Sequence, residues 1–378
     1  MIRFLLVYLS IYPLVHYYAF RKIKKAFPLG RIATLCISLF MATMIAAPIM
    51  VRLAERAGIE TGARFWAYAS FSWMGLLFLF ISLAAALDLI TLAIQAGEKM
   101  LKRKLCQTPI SPRQVLALQA ILVFALYSYG LFEAGDIRLE HLEIVSPKIS
   151  ASTGRIRIAQ ISDVHLGLII REARLKRIIA RMEEARPDIL VATGDLVDGQ
   201  LNHLTTETSL LGAVKPRLGK FAITGNHEFY AGLQDALAFT KAAGFTMLRH
   251  QGMVIGTINF VGVDDPAVKS IGKEHAASEH ELLAAMPKEN FTVLLKHRPD
   301  IAPESLGLFD LQLSGHTHKG QIFPFNLLTW FFYPQRGGRV TQLNSGLLYL
   351  SRGTGTWGPP IRFLAPPEVT IIDLVPGK

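Results

Sequence analysis

Hydrophobic positions change rhythm once along this chain. In the first third they run in long blocks, at 4–20, 32–51, 65–95 and 115–132. A helix needs about 20 mostly apolar residues to cross the hydrocarbon core of a bilayer, and each block is near or above that length. Residues 1–132 therefore read as a helical membrane region of about four spans. The block at 4–20, which holds Pro13 and His16, also fits an uncleaved signal-like segment. A soluble helical core is the competing reading, and the near absence of charge inside the blocks speaks against it. Asp88 is the exception. Carboxylates inside membranes are often functional, but this block exceeds what a span needs, so Asp88 is expected near an interface or capping a neighbouring helix.

Beyond a connecting segment at 133–154 the apolar runs become short and are bounded by turn residues. Those at 156–161, 188–193, 221–224, 291–296 and 310–314 read as buried strands, with further candidates at 257–263 and 368–374. Glu172 to Ala185 places Leu175, Ile178, Ile179 and Met182 on one helical face. A second helix is predicted over 233–243, ended by Gly244. Two packed sheets flanked by helices accommodate this order, giving an α/β domain over 155–378.

Charge refines the division. The chain carries a net +11; residues 1–150 hold 16 Lys and Arg against 8 Asp and Glu, leaving 24 against 21 for the rest. The excess belongs to loops between the apolar blocks, such as Arg21-Lys22-Ile-Lys24-Lys25 and 99–104, so nucleic-acid binding is not expected. Positive loops favour the cytoplasmic side, which puts the domain at 155–378 on the extracytoplasmic face of a cell (inner) membrane. The two cysteines, Cys36 in a predicted span and Cys106 in a basic loop, suggest no disulfide framework.

The strand-like runs matter most at their carboxyl ends. Each leads into a short polar motif: Asp163-Val-His165, Gly194-Asp195-Leu-Val-Asp198, Gly225-Asn226-His227-Glu228, the lone His297, and Gly315-His316-Thr317-His318. In open α/β sheets ligands sit beyond these ends, so residues distant in sequence meet at one rim. Each motif has a plainer reading: a helix N-cap for Asp163, a turn for Gly-Asn-His, a hydrogen-bonded histidine for His297. His316 and His318, two apart, point to one side of an extended segment. Together the motifs supply enough Asp, Asn and His for two divalent metal ions, and such donors suit Mn, Fe or Zn, with Mn first among them. A two-metal cluster activates water and neutralises charge on a phosphorus ester. Gly194, Gly225 and Gly315 precede the candidate ligands, where lack of a Cβ permits a sharp turn and close approach.

This pattern, DxH, GDxxD, GNH, H and GHxH in order over 156–318, resembles the calcineurin-like metallophosphoesterase superfamily. The resemblance implies one metal held by Asp163, His165, Asp195 and His318, and a second by Asp195, Asn226, His297 and His316. It further implies that His227 contacts the phosphate and protonates the leaving group, with Asp198 one layer behind the ligands. Lys319 departs from the small residue many relatives carry after the last ligand, bringing a positive charge near the phosphate site. The Trp357-Gly-Pro-Pro-Ile-Arg362 stretch is similar to the C-terminal end of membrane-anchored members. Some of these cleave the pyrophosphate of UDP-diacylglucosamine, a runner-up activity in lipid A synthesis that conflicts with an outward-facing domain. A non-catalytic membrane protein with a retained metal site is the reading from another class, against which the full ligand set and His227 stand.

The expected activity is hydrolysis of a phosphodiester or pyrophosphate bond, in a soluble or lipid-linked substrate. Residues 322–333 point to the second. They are strongly apolar and aromatic, and Trp and Tyr favour membrane interfaces. The segment is expected either in the bilayer surface, or packed into the domain's own core or against the membrane helices.

Overall fold

The computed structural model describes residues 2–104, 111–199, 201, 203–271 and 277–377. The chain divides into two compact units, Met1–Phe132 with Gly358–Ile361, and Glu133–Trp357 with Arg362–Lys378.

The first unit is built from α1 (Ile2–Ala26), α2 (Arg31–Arg56), α3 (Glu60–Leu101) and most of α4 (Pro112–Gly135). Among the described residues three helices, α2, α3 and α4, are long and apolar enough to cross a membrane. The expected fourth span, α1, is not among them. It carries polar side chains that bond to α3: the Trp73 indole N–H donates to His16 Nε2 at 2.9 Å, and the Tyr18 hydroxyl donates to Asp88 at 2.6 Å. Lys22 forms an ion pair with the same carboxylate. Asp88 thus caps no helix; it lies within α3 and is satisfied sideways by α1. Large apolar side chains such as Leu35, Leu89 and Phe124 face outward, the reverse of what water requires of a helical bundle. Cys36 is exposed on α2, while Cys106 lies outside the described residues.

The second unit holds two six-stranded sheets. The first contains β1 (Arg138–Ser146), β2 (Ile156–Ile161), β3 (Ile189–Thr193), β4 (Lys220–Ile223), β5 (Thr246–Met247) and β12 (Glu368–Pro376), in the order β1-β12-β2-β3-β4-β5. The second contains β6 (Gln251–Ile255), β7 (Ile258–Gly262), β8 (Phe291–Leu295), β9 (Leu311–Ser314), β10 (Arg339–Leu343) and β11 (Gly346–Leu350), in the order β10-β11-β9-β8-β7-β6. Neighbours from β2 to β5 are parallel, as are β7-β8-β9-β11. The helices are α5 (Glu172–Ala185), α6 (Thr205–Ala213), α7 (Asn226–Ala231), α8 (Leu233–Ala242), α9 (Glu279–Ala284) and α10 (Phe325–Phe332).

Successive strand residues point to opposite faces, and both faces of the central strands are apolar. Ile158, Val191, Phe221 and Ile223 pack between the sheets with Phe260, Val293, Leu295, Leu311 and Leu313. Their neighbours Ala159, Ile161, Leu190 and Ala192 turn outward onto Leu175, Ile178 and Met182 of α5. On the far side Val261 and Leu294 meet Leu283 of α9. The layers are therefore helix, sheet, sheet, helix, the two-sheet α/β sandwich expected.

The segment at 133–154, expected to connect the units, is instead partly built into this fold. Its residues 138–146 form β1, which pairs in parallel with β12 from Arg138 opposite Glu368 to Ser146 opposite Pro376. An edge strand tolerates polar side chains on its open side, so Arg-Leu-Glu-His-Leu-Glu lacks the run of apolar residues that marks a central strand.

Candidate metal centre

Every motif singled out in the sequence lies just past a strand end or, for Asn226 and His227, opens a short helix. The loops after β2 and β3 are laced together: Asp163 N–H donates to the Gly194 carbonyl at 3.1 Å, and His165 N–H to that of Asp195 at 3.0 Å. Five residues, Asp163, His165, Asp195, His316 and His318, have left-handed backbones, with φ of 52°, 54°, 51°, 75° and 48°. Such conformations cost of order 1–3 kcal/mol each and collect at functional sites, where the surrounding fold enforces them. Gly194 makes the sharp turn expected of it, at φ 91°, and the candidate ligands add left-handed turns of their own. Gly225 serves close approach instead: its φ is −99°, and an added Cβ would lie 2.6 Å from the Asp195 amide nitrogen and overlap its carboxylate.

The side chains converge in three overlapping groups: Asp163, His165 and His318; His165, Asp195 and His227; Asp195, His297 and His316. His165 Nε2 faces His318 Nε2 at 3.0 Å, and His318 Nε2 lies 3.4 Å from Asp163. Asp195 lies 3.3 Å from His297 Nε2, which is itself 3.3 Å from His316 Nδ1. Asn226 is also buried, and its side-chain oxygen has no protein partner. Asp163 accepts the His316 N–H at 2.9 Å, tying the first sheet's loop to the second's.

Charge is concentrated here. Burial works against ionising Asp195, yet His297 and His227 outweigh it and hold the carboxylate well below its usual range. Burial likewise opposes charge on His297, but Asp195 raises it to about 10. His316 is pushed down to about 3 by burial, then by His297 and Arg298. His318 is kept neutral by burial and by the Arg362 guanidinium.

His227 is placed differently. Its Nδ1 lies 2.9 Å from Asp198 Oδ1 and 3.2 Å from that residue's carbonyl, which leaves Nε2 as the working nitrogen. Burial disfavours its charge, but Asp195 and Asp198 raise it to about 9. Its ring lies edge-on to Tyr230 and Trp357, with centroids 5.4 and 5.7 Å away.

Residues 156–320 match the model of the family described as calcineurin-like phosphoesterase. An uncharacterized metallophosphoesterase of Aquifex aeolicus (strain VF5) is 39% identical over 253 residues, covering 66% of this chain and 96% of that protein. The chain belongs to the calcineurin-like metallophosphoesterase family. A Danio rerio transmembrane protein with metallophosphoesterase domain is 30% identical over 336 residues, 84% of this chain and 75% of that protein. The crystal structure of a 5′-nucleotidase precursor from Thermus thermophilus aligns with a TM-score of 0.35 at 16% identity, covering 58% of this chain and 54% of that one.

The cluster of this metallophosphoesterase suits divalent cations on its own evidence. The donors are oxygen and nitrogen without thiolate. Buried His165 Nδ1 and Asn226 Oδ1 have no hydrogen-bond partner, a costly arrangement that ligation relieves. His297 Nδ1 bonds the Thr193 carbonyl at 2.8 Å, the outer contact that orients a ligating imidazole.

Two residues were assigned no role in the sequence reading. Glu228 accepts the amide N–H groups of Gly225, Leu196 and Asp195 at 2.6, 2.8 and 3.0 Å, so one buried carboxylate fixes two of the loops. The fully buried Arg362 donates to the carbonyls of Arg352 and Ala365 and lies 3.2 Å from His318 Nδ1. Lys319, expected beside the phosphate site, has Arg352, Glu133, Glu368 and Arg339 as its charged neighbours.

Proposed function

We propose that this metallophosphoesterase is a membrane-anchored hydrolase of a phosphodiester or pyrophosphate bond. The observation that carries it is the pairing of a metal-competent Asp and His cluster with a protonatable His227 held by Asp198 2.9 Å away. Asp163, His165, Asp195 and His318 would hold one cation; Asp195, Asn226, His297 and His316 would hold the other, with Mn the first choice. When bound, such a pair of cations would supply a nucleophile from water and neutralise charge at phosphorus. Hydrolysis places OH on phosphorus and H on the departing oxygen. His227, charged below about 9, gives that proton from Nε2, and its charge holds the equatorial oxygens before transfer. Asp198 positions the ring and stabilises its charged form. Tyr230 and Trp357 flank His227.

Three spans place the Arg21–Lys25 cluster and the loop at 99–104 on the same side, and the cytoplasmic preference of basic loops puts the second unit outside. The transmembrane description of the Danio rerio relative supports the anchor. An extracytoplasmic site disfavours a substrate such as UDP-diacylglucosamine, which is made in the cytoplasm.

The test is hydrolysis of bis-para-nitrophenyl phosphate by detergent-purified protein, with and without Mn, alongside Asp195→Asn. Metal-dependent turnover that the variant loses is expected. Turnover indifferent to metal, or retained by Asp195→Asn, would refute the two-metal reading.

A further inference from the structure

The second unit has one helix whose amphipathicity is inverted. In α10, Phe-Asn-Leu-Leu-Thr-Trp-Phe-Phe, no residue is buried. Phe325, Leu327, Leu328, Trp330, Phe331 and Phe332 are all exposed, Phe331 at 78%. The half-exposed positions are Asn326 and Thr329. A helix resting on a soluble domain does the opposite, turning its apolar stripe inward. The core-packing alternative is therefore excluded for 325–332 within the second unit, although Ile322 just before it is buried.

We propose that α10 is an interfacial helix that lies in a phospholipid surface and sets the metal centre beside it, so that the substrate is a phosphoester carried on a lipid. The inference rests on the hydrolase reading above and adds the substrate class. Four observations commit the face to a bilayer. Eight residues rise about 12 Å, far too short to span, and an aromatic apolar face of this kind suits the headgroup boundary. The same chain carries three helices able to cross a membrane, and only two residues separate the end of α4 at Gly135 from the start of β1 at Arg138, so this unit is tethered close to a bilayer. Exposed Arg336 and Arg339 lie four and seven residues beyond the helix and complement anionic headgroups. The helix also ends at the reacting site: the ring of Tyr333, its next residue, sits 5.6 Å from that of His316. A lipid headgroup at the level of α10 would thus present its phosphorus to the cluster without the acyl chains leaving the membrane.

The test uses the full chain in vesicles of phosphatidylethanolamine and phosphatidylglycerol, with phosphatidylcholine brominated early in the acyl chain as quencher. The emission lost in Trp330→Phe isolates Trp330 from the three other tryptophans, and that difference should be strongly quenched. The variant Trp330→Ser with Phe331→Ser and Phe332→Ser removes only exposed side chains, so it should fold. It should lose at least about tenfold in turnover of a lipid-borne phosphodiester and less than about twofold on the soluble chromogenic diester. An unquenched Trp330, or equal losses on both substrates, overturns the proposal; unquenched emission with dissociation of a dimer in the variant would assign the face to a second copy. Quenching is read without turnover, so an inactive but quenched protein would sink the hydrolase reading and spare the helix.

Discussion

At the residue scale, the division of labour between His227 and the ligands is the sharpest claim. His227→Ala should keep the metal content measured by elemental analysis while lowering turnover by about 10²–10⁴-fold, the range for loss of a general acid. The proton it gives is present below its raised pKa and absent above it, so activity should fall as pH rises through about 9. Asp198→Asn removes a charge that sustains that pKa, and the descending limb should move to lower pH while metal stays bound. Both are read from pH–rate profiles. These residues were legible in the sequence because metal and proton chemistry needs particular side chains, and Asp, Asn and His at strand ends announce themselves. Glu228 and Arg362 were not, since they act on backbone amides and carbonyls that leave no mark on the residues they serve. The left-handed backbones of Asp163 and Asp195 were equally hidden, whereas the turn at Gly194 was legible.

At the scale of elements, central strands were legible and edges were not. The runs that became β3 and β8 are largely apolar on both faces because they lie between layers, whereas β1 reads as a polar connection. Its burial is confined to Ile144 and Ser146 in the second half of the strand. Ile144 packs in the same inter-sheet core as Ile158 and Ile372. Ile144→Ser should therefore cost about 2–4 kcal/mol, seen as a lower Tm of the detergent-purified protein; an unchanged Tm would return the segment to a mere connection. For 322–333 the sequence showed an apolar aromatic segment but neither its helicity nor its outward face, since eight residues give too few turns to fix a periodicity.

At the scale of the whole molecule, composition separated the two units because lipid and water reward opposite patterns. Against the expected four spans, three helices among the described residues are long and apolar enough to cross; α1 is apolar on average but holds His16, Tyr18 and Lys22 against α3, an arrangement that only the fold reveals. Sidedness can be checked in a chain with Cys36 and Cys106 replaced by Ser. Ser152→Cys should react with a membrane-impermeant maleimide added outside intact cells, and Lys104→Cys should not. The reverse pattern would put the hydrolase in the cytoplasm and revive a nucleotide-lipid substrate.

The order β1-β12-β2 in the first sheet has a temporal meaning. The strand synthesised last is inserted between the two made first, so that sheet stays open until the final strand arrives. A domain threaded across a membrane in the proposed orientation would emerge with its loops present but their scaffold incomplete until β12 arrives. Completion of the sheet beneath the candidate ligand loops thus depends on the arrival of the last strand.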